Sequence, residues 1–207
     1  MDNPLFARFL DRYGRRTERW GNGPLRAELV AGLRGRVLEI GPGTGLNFPH
    51  YPAEVTLLTG AEPEPYLRER AGAAAREAAV PVELVEAEAG DLPQEDGVFD
   101  AVVVAGVLCS VPDQARALAE IHRVLRPGGE LRFYEHVRSR SVSFARWQAL
   151  AAPGWARMMG GCRPDRDTLG AIRSAGFEVG RVRGLVYPHW AGVSVVAPRV
   201  HGTAVRV

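Results

Sequence analysis

The sequence predicts an open, doubly wound, mostly parallel α/β sheet of seven strands whose last two form a C-terminal β-hairpin. Three observations predict it. The apolar run Val37-Leu38-Glu39-Ile40 breaks into glycines at alternate positions, Gly41, Gly43 and Gly45, as a strand does on entering a tight turn. Strand-length apolar runs alternate with helical patterns in the order β-α-β-α-β-α-β-α-β, and a β-rich end follows. Residues able to contact a ligand recur at the carboxyl ends of five consecutive strands, where ligands of such sheets sit.

The elements follow in order. Residues 4–13 place Leu5, Phe6, Phe9, Leu10 and Tyr13 on one helical face. That face packs on the domain, forms a lid over a pocket, or makes a weak membrane-surface contact. Trp20 to Pro24 is a loop, and residues 25–33 form a short helix. The first strand is 36–40. In Asn47-Phe48-Pro49-His50-Tyr51-Pro52, two prolines limit the helix after the glycines to a short one. Strand two is 55–59, followed by an Ala- and Arg-rich helix over 66–79. Strand three is 82–85, and a loop of small and acidic residues follows from Glu86 to Pro93. Strand four, 101–105, is an unbroken apolar run suited to the centre of a parallel sheet.

A helix over 114–126 follows, then a turn at Arg126-Pro127-Gly128-Gly129-Glu130 and strand five at 131–134. Residues 143–160 carry Phe144, Trp147, Leu150, Trp155, Met158 and Met159 as an amphipathic cap, broken at Gly160-Gly161-Cys162. A helix spans 165–175 and a strand 178–184. An irregular stretch holds Tyr187, Pro188, His189 and Trp190, and the last strand is 200–207. The whole is one domain, 1–207. It comprises an N-terminal helical lid (1–34), a half carrying the glycine turn (35–136) and a cap with the terminal strands (137–207).

Composition narrows the chemistry. Of 207 residues, 26 are basic and 24 acidic, a balance that argues against a nucleic-acid partner. All the basic residues are arginine, which excludes a Schiff-base lysine, a P-loop lysine and a Tyr-x-x-x-Lys pair. Two cysteines, Cys109 and Cys162, make neither a disulfide framework nor a zinc site by count, and no metal is expected. No signal peptide or membrane-spanning run is evident, so a cytoplasmic protein is expected. The sequence leaves the oligomeric state open.

The glycine spacing departs from the dinucleotide fingerprint, which needs its third glycine where Leu46 stands. It fits a nucleoside-binding turn of another kind, with the following helix N-terminus near the ligand. Glu62, 17 positions after Gly45, ends strand two, where an acid accepts from ribose hydroxyls; Glu64 is the fallback, and a solvated turn carboxylate is the competing reading. In the Glu86–Asp91 loop a carboxylate suits an exocyclic adenine amine. Gly41–Gly45, Glu62, Glu88–Ala89, Cys109 and His136 should line one crevice.

Three stretches resemble the class I S-adenosylmethionine-dependent methyltransferases. They are Glu39-Ile40-Gly41-Pro42-Gly43-Thr44-Gly45, Gly97-Val98-Phe99-Asp100-Ala101-Val102-Val103, and Glu120-Ile121-His122-Arg123-Val124-Leu125-Arg126-Pro127-Gly128-Gly129. The resemblance implies the Rossmann-like methyltransferase fold and S-adenosylmethionine as cofactor, with S-adenosylhomocysteine as product. It implies that Gly41, Gly43 and Gly45 cradle the methionine end and that Glu39 fixes its amino group. Glu62 takes the ribose and Glu88 with Ala89 the adenine, while Asn47, Pro63, Gly106 and Val107 complete the cofactor contacts. The family often has Asp where Glu88 stands, which leaves Glu86 and Asp91 as rivals for the adenine.

A narrower likeness is to the methyltransferase-like 7 group. It rests on Asn47-Phe48, Tyr51-Pro52, Val107-Leu108-Cys109-Ser110-Val111, Glu135-His136-Val137, Gly161-Cys162 and His201-Gly202. The group's animal members are membrane-anchored thiol S-methyltransferases; no N-terminal hydrophobic segment like theirs is evident here, so their membrane attachment is not expected. The implied reaction is methylation of a small apolar acceptor, a thiol among the candidates. O-, N- or C-methylation of a metabolite, quinone or lipid head group is the alternative. A nicotinamide-dependent oxidoreductase and a non-catalytic nucleoside-binding module are the remote ones. A thiol reacts as thiolate, so His136 is the candidate base, or else a histidine bonded within the sheet edge. Cys109 lines the acceptor pocket or packs as a buried core cysteine. The aromatics Phe6, Phe9, Trp147, Trp155, Tyr187 and Trp190 build that pocket or the core.

Overall fold

The computed structural model describes residues 4–19, 22–187 and 194–207. Seven strands form one sheet: β1 (Gly35–Ile40), β2 (Val55–Ala61), β3 (Val82–Val85), β4 (Phe99–Ala105), β5 (Leu125–His136), β6 (Phe177–Val186) and β7 (Pro198–Arg206). Their order is β3-β2-β1-β4-β5-β7-β6. The first five are mutually parallel, and β7 lies antiparallel between β5 and β6. The expected C-terminal hairpin is thus present, with its second strand inside the sheet and its first at the edge.

Strand alternation divides the core in two. Along β4, Val102 and Val104 face α4 (Gln114–Val124) and α6 (Thr168–Ser174), meeting Leu118, Ile121 and Ile172. Ala101 and Val103 face the other side. There Leu29 and Val30 of α2 (Gly23–Val30), Phe48 and Ala71 of α3 (Pro65–Ala75) complete a second cluster. A strand covered on both faces has no polar side, which is why β4 reads as an unbroken apolar run. Each fully buried valine of this kind contributes roughly 1.5–3 kcal/mol relative to exposure.

Several expectations need correction. No helix lies between β3 and β4; residues 86–98 form a loop, because glycine, proline and acidic residues leave no apolar stripe there. The turn at 126–130 is absorbed into the start of β5, with a register shift against β4 and a positive φ at Gly128. The helix after the glycine turn is short, as expected: a single 3-10 turn, Phe48–His50. The cap helix α5 (Val142–Met158) does not bury the expected apolar face: Trp147, Leu150 and Met158 are exposed.

What α5 buries is Gln148 and Ala152. Gln148 Nε2 shares its two N–H groups among the carbonyls of Val137, Pro164 and Val195 at 3.1, 3.0 and 2.8 Å, and its Oε1 accepts from Ser139 N at 2.7 Å. One amide therefore pins the helix to the chain after β5, to the stretch before α6 and to the approach to β7. The N-terminal helix α1 (Pro4–Arg19) is tied to α3 through Asp11, which accepts from Tyr66 Oη at 3.0 Å and pairs with Arg70 at 3.4 Å.

Candidate active site

A cavity of about 980 Å³ opens at the carboxyl ends of the parallel strands. Its wall includes Glu39, Gly41, Gly43, Asn47, Glu62, Pro63, Glu88, Ala89, Gly106, Val107 and His136, all sequence candidates. Phe6, Phe9, Leu10 and Tyr13 of α1 face it, as do Trp155, Met159 and Cys162 beyond the sheet. The predicted crevice residues thus share one space, except Gly45 and Cys109, which do not line it.

The glycines divide into three jobs. Gly41 (φ +63°) sits so close to Val107 that a Cβ would lie 2.7 Å from its methyl. Gly43 (φ +59°) has nothing within 4 Å of where a Cβ would be, so it keeps a hollow open. Gly45 does not line the cavity. A Cβ there would meet Phe48 and Ala74 at 2.7 and 2.8 Å, so its absence lets the turn pack on α3.

Glu39 is buried at the end of β1. Asn47 Nδ2 donates to one of its oxygens at 2.6 Å and Tyr51 Oη to the other at 2.9 Å. Arg26 donates to Asn47 Oδ1 at 2.8 Å, so its charge acts at one remove. Burial outweighs these bonds and pushes the Glu39 carboxyl up to about 7. A cationic group entering the cavity would restore its charge.

Glu62 accepts from Gly43 N at 3.0 Å and Glu64 N at 3.1 Å, and burial raises its pKa. It thus couples the end of β2 to the glycine turn. The fallback acid Glu64 is occupied as the N-cap of α3, accepting from Leu67 N at 2.7 Å. Of the adenine candidates, Glu88 and Asp91 face the cavity, whereas Glu86 pairs outward with Arg68 at 2.6 Å.

The far wall holds residues the sequence reading did not single out. Glu135, buried at the end of β5, accepts from the backbone N–H groups of Val107, Leu108 and Cys109 at 2.9, 3.0 and 3.1 Å. Like Glu39 it is an acid closing an apolar strand, and that shared pattern is the sequence signal for it. Arg199 donates to Tyr134 Oη at 2.8 Å and stacks over the Tyr134 and Tyr187 rings.

His136 faces Cys109 and Cys162, its Nδ1 lying 3.4 and 3.5 Å from their sulfurs. Burial, then the Arg199 charge, lowers the His136 pKa, which favours the neutral imidazole. Cys109 is fully buried and does not line the cavity, as its core-cysteine reading has it, whereas Cys162 borders the cavity. Both cysteines are free thiols. Of the expected pocket aromatics, Phe6, Phe9 and Trp155 line the cavity; Trp147 is exposed on α5, Tyr187 sits under Arg199, and Trp190 lies outside the described residues with Pro188 and His189.

Comparison with known proteins decides the family. Residues 38–133 match the methyltransferase domain model. The chain is 34% identical over 183 residues to human thiol S-methyltransferase TMT1A, covering 85% of this chain and 73% of that one. It is 37% identical over 186 residues to human thiol S-methyltransferase TMT1B, covering 86% and 74%. The chain belongs to the class I S-adenosylmethionine-dependent methyltransferases, in the methyltransferase-like 7 group.

In fold, this methyltransferase is similar to geranyl diphosphate C-methyltransferase from Streptomyces coelicolor, with a TM-score of 0.70 at 15% identity over 89% of this chain and 77% of that one. It is an enzyme, and S-adenosylmethionine is its cofactor. The cavity suits that molecule on two independent counts: an open hollow over Gly43 and a buried acid, Glu39, lacking a direct cation. Among the described residues, the methyltransferase has no helix long and apolar enough to cross a membrane.

Proposed function

We propose that the enzyme methylates the sulfur of small apolar thiols. One observation carries this. A single cavity joins the acidic glycine cradle to an aromatic wall of Phe6, Phe9 and Trp155, and the same space is bordered by His136 and Cys162. The two human relatives that span most of the chain are thiol S-methyltransferases, which supports the same acceptor atom.

In this reading Glu39, held by Asn47 and Tyr51, accepts from the cofactor's ammonium group. Gly41 and Gly43 give its methionine end close backbone approach, Glu62 takes the ribose hydroxyls, and Glu88 with the Ala89 N–H takes the adenine. Pro63, Gly106 and Val107 wall the bound molecule. When bound, S-adenosylmethionine supplies an electrophilic methyl carbon. The protein's task is to align the acceptor and keep water out. The aromatics of α1 give that helix the role of lid, and the apolar wall excludes strongly solvated acceptors. A thiol with a pKa of about 8.5 needs only modest help to ionise. His136, neutral and facing the cavity, is the proton acceptor. Two free cysteines suit the reducing cytoplasm.

The test is a methyl-transfer screen on protein shown calorimetrically to bind S-adenosylhomocysteine. Alkyl and aryl thiols are compared with the corresponding alcohols, amines and phenols. Turnover restricted to thiols supports the proposal; turnover of oxygen, nitrogen or carbon acceptors with inert thiols overturns it.

A further inference from the structure

Cys109, His136 and Cys162 come from three separate elements: the loop after β4, the end of β5 and the Gly160-Gly161 break after α5. Their donor atoms form a triangle with edges of 3.8 Å (Sγ to Sγ), 3.4 Å (Cys109 Sγ to His136 Nδ1) and 3.5 Å (Cys162 Sγ to His136 Nδ1). A tetrahedral zinc with sulfur at about 2.3 Å and nitrogen at about 2.05 Å requires edges of about 3.8 Å between sulfurs and about 3.5 Å from sulfur to nitrogen. The triangle matches one face of that tetrahedron on all three edges. At 3.8 Å the two sulfurs are in non-bonded contact, well beyond the roughly 2.05 Å of a formed disulfide.

The backbone around the triangle is fixed. Glu135 holds the Cys109 N–H, Arg163 N donates to Cys109 O at 2.7 Å, and Cys162 N donates to Met159 O at 3.1 Å. The Arg163 bond ties the two cysteine loops directly to each other. The Trp155 indole nitrogen is buried without a fully formed hydrogen bond and lies on the Cys162 side. Two corners of the triangle, His136 and Cys162, border the cavity, while Cys109 lies behind them. Three protein ligands with a fourth position facing a substrate cavity is the arrangement of catalytic rather than structural zinc.

We propose that Cys109, Cys162 and His136 form a soft divalent-metal site, zinc in the first instance, whose fourth position takes the acceptor sulfur. The fourth-position part rests on the thiol reading above; the three-ligand site does not. The metal takes both sulfurs as thiolates, and any proton that Cys109 or Cys162 carries passes to solvent. The acceptor thiol then gives its proton to solvent on entering the fourth position, so the metal replaces His136 as the activating group. Its sulfur forms the new S–CH3 bond as the methyl–sulfonium bond breaks, and a neutral thioether, a weaker ligand than a thiolate, departs beside neutral S-adenosylhomocysteine.

The experiment uses the full chain, reduced and metal-stripped, titrated with Zn2+ alone and separately with Co2+. The expected result is one ion per chain, with thiolate-to-cobalt charge transfer and intense tetrahedral bands. Cys109→Ser, Cys162→Ser and His136→Asn should each lower Zn2+ affinity by more than the roughly 10–100-fold that removing a supporting group costs. Calorimetry with S-adenosylhomocysteine shows that each variant remains folded. If wild type binds no stoichiometric metal, or if binding survives the triple variant, the site is refuted, even where thiols are turned over. If the cobalt spectrum forms but no small thiol perturbs it and none is methylated, the three-ligand site stands and the thiol reading falls.

Discussion

Asn47 donates a 2.6 Å hydrogen bond to Glu39, and the same Asn47 accepts from Arg26 at 2.8 Å. A neutral amide thus stands between a buried acid and the nearest arginine, leaving the acid without a full counter-charge. Glu39→Gln should weaken S-adenosylhomocysteine binding by about 2–3 kcal/mol, since a charged hydrogen bond is replaced by a neutral one. Asn47→Ala should weaken it less. Calorimetric titration separates the two.

The same carboxyl sets a pH dependence. Its folded-state pKa is raised to about 7 against an ordinary 4.5 by burial, against the opposing bonds from Tyr51 and Asn47 and the Arg26 charge, with Glu62 adding repulsion. The folded cofactor-free protein therefore holds a proton that the unfolded chain has lost. Its stabilising contribution is full below pH 4.5 and is lost as pH rises through 7. Binding a cation reverses the preference. S-adenosylhomocysteine affinity should climb with pH below 7, by up to about tenfold per unit, and level off above it. A flat profile in wild type, or an unchanged slope in Glu39→Gln, would remove Glu39 from the ammonium site.

Two glycine substitutions should fail differently. Gly43→Ala puts a methyl into open space at positive φ, costing about 1–2 kcal/mol of stability, while intruding where the cofactor approaches. Gly45→Ala carries the same backbone strain and also collides with Phe48 and Ala74, adding about 1–3 kcal/mol. Urea melts should rank Gly45→Ala as the less stable, and ligand titration should rank Gly43→Ala as the greater loss of affinity relative to its stability loss.

Gln148 and Glu135 are buried polar residues whose value lies in the backbone groups they satisfy. Gln148→Leu leaves three carbonyls and one N–H unpaired, and Glu135→Ala leaves three N–H groups unpaired. At about 1–3 kcal/mol per buried group, each should cost at least about 3 kcal/mol in denaturant unfolding. A loss below 1 kcal/mol would mean that water replaces those bonds.

Phe6 lines the cavity from α1, and a Cβ on Gly160 would sit only 2.1 Å from its ring. Phe6→Ala should raise KM for an apolar thiol about tenfold, from lost apolar burial. S-adenosylhomocysteine binding should change less than twofold. Equal losses in both would mean that α1 supports the cofactor side instead.

Local features were legible in the sequence. The glycine turn, Glu62 and the β4 run each declare themselves within a few residues, because backbone sterics and strand burial act at that range. The cysteine–histidine corner did not, since Cys109 and Cys162 are 53 positions apart and only the sheet topology brings them to His136. Counting cysteines alone omitted the imidazole that completes the triangle. The cap helix was misjudged for a different reason. Apolar periodicity assumes that a helix buries hydrocarbon, whereas α5 buries an amide that serves backbone carbonyls and leaves Trp147 and Leu150 outside. Gly45 shows that the glycine pattern names positions without separating ligand contact from packing.

The strand order also bears on synthesis. β7 is made after β6 yet is inserted between β5 and β6, and β6 pairs with β7 alone. On the ribosome, strands β1 to β5 can assemble while the residues of β6 and β7 are still to come. β6 has no partner, and β5 keeps an open edge, until residues 198–206 emerge. The nascent chain therefore carries an unpaired sheet margin until β7 is made, and this interval is when a chaperone would be most needed.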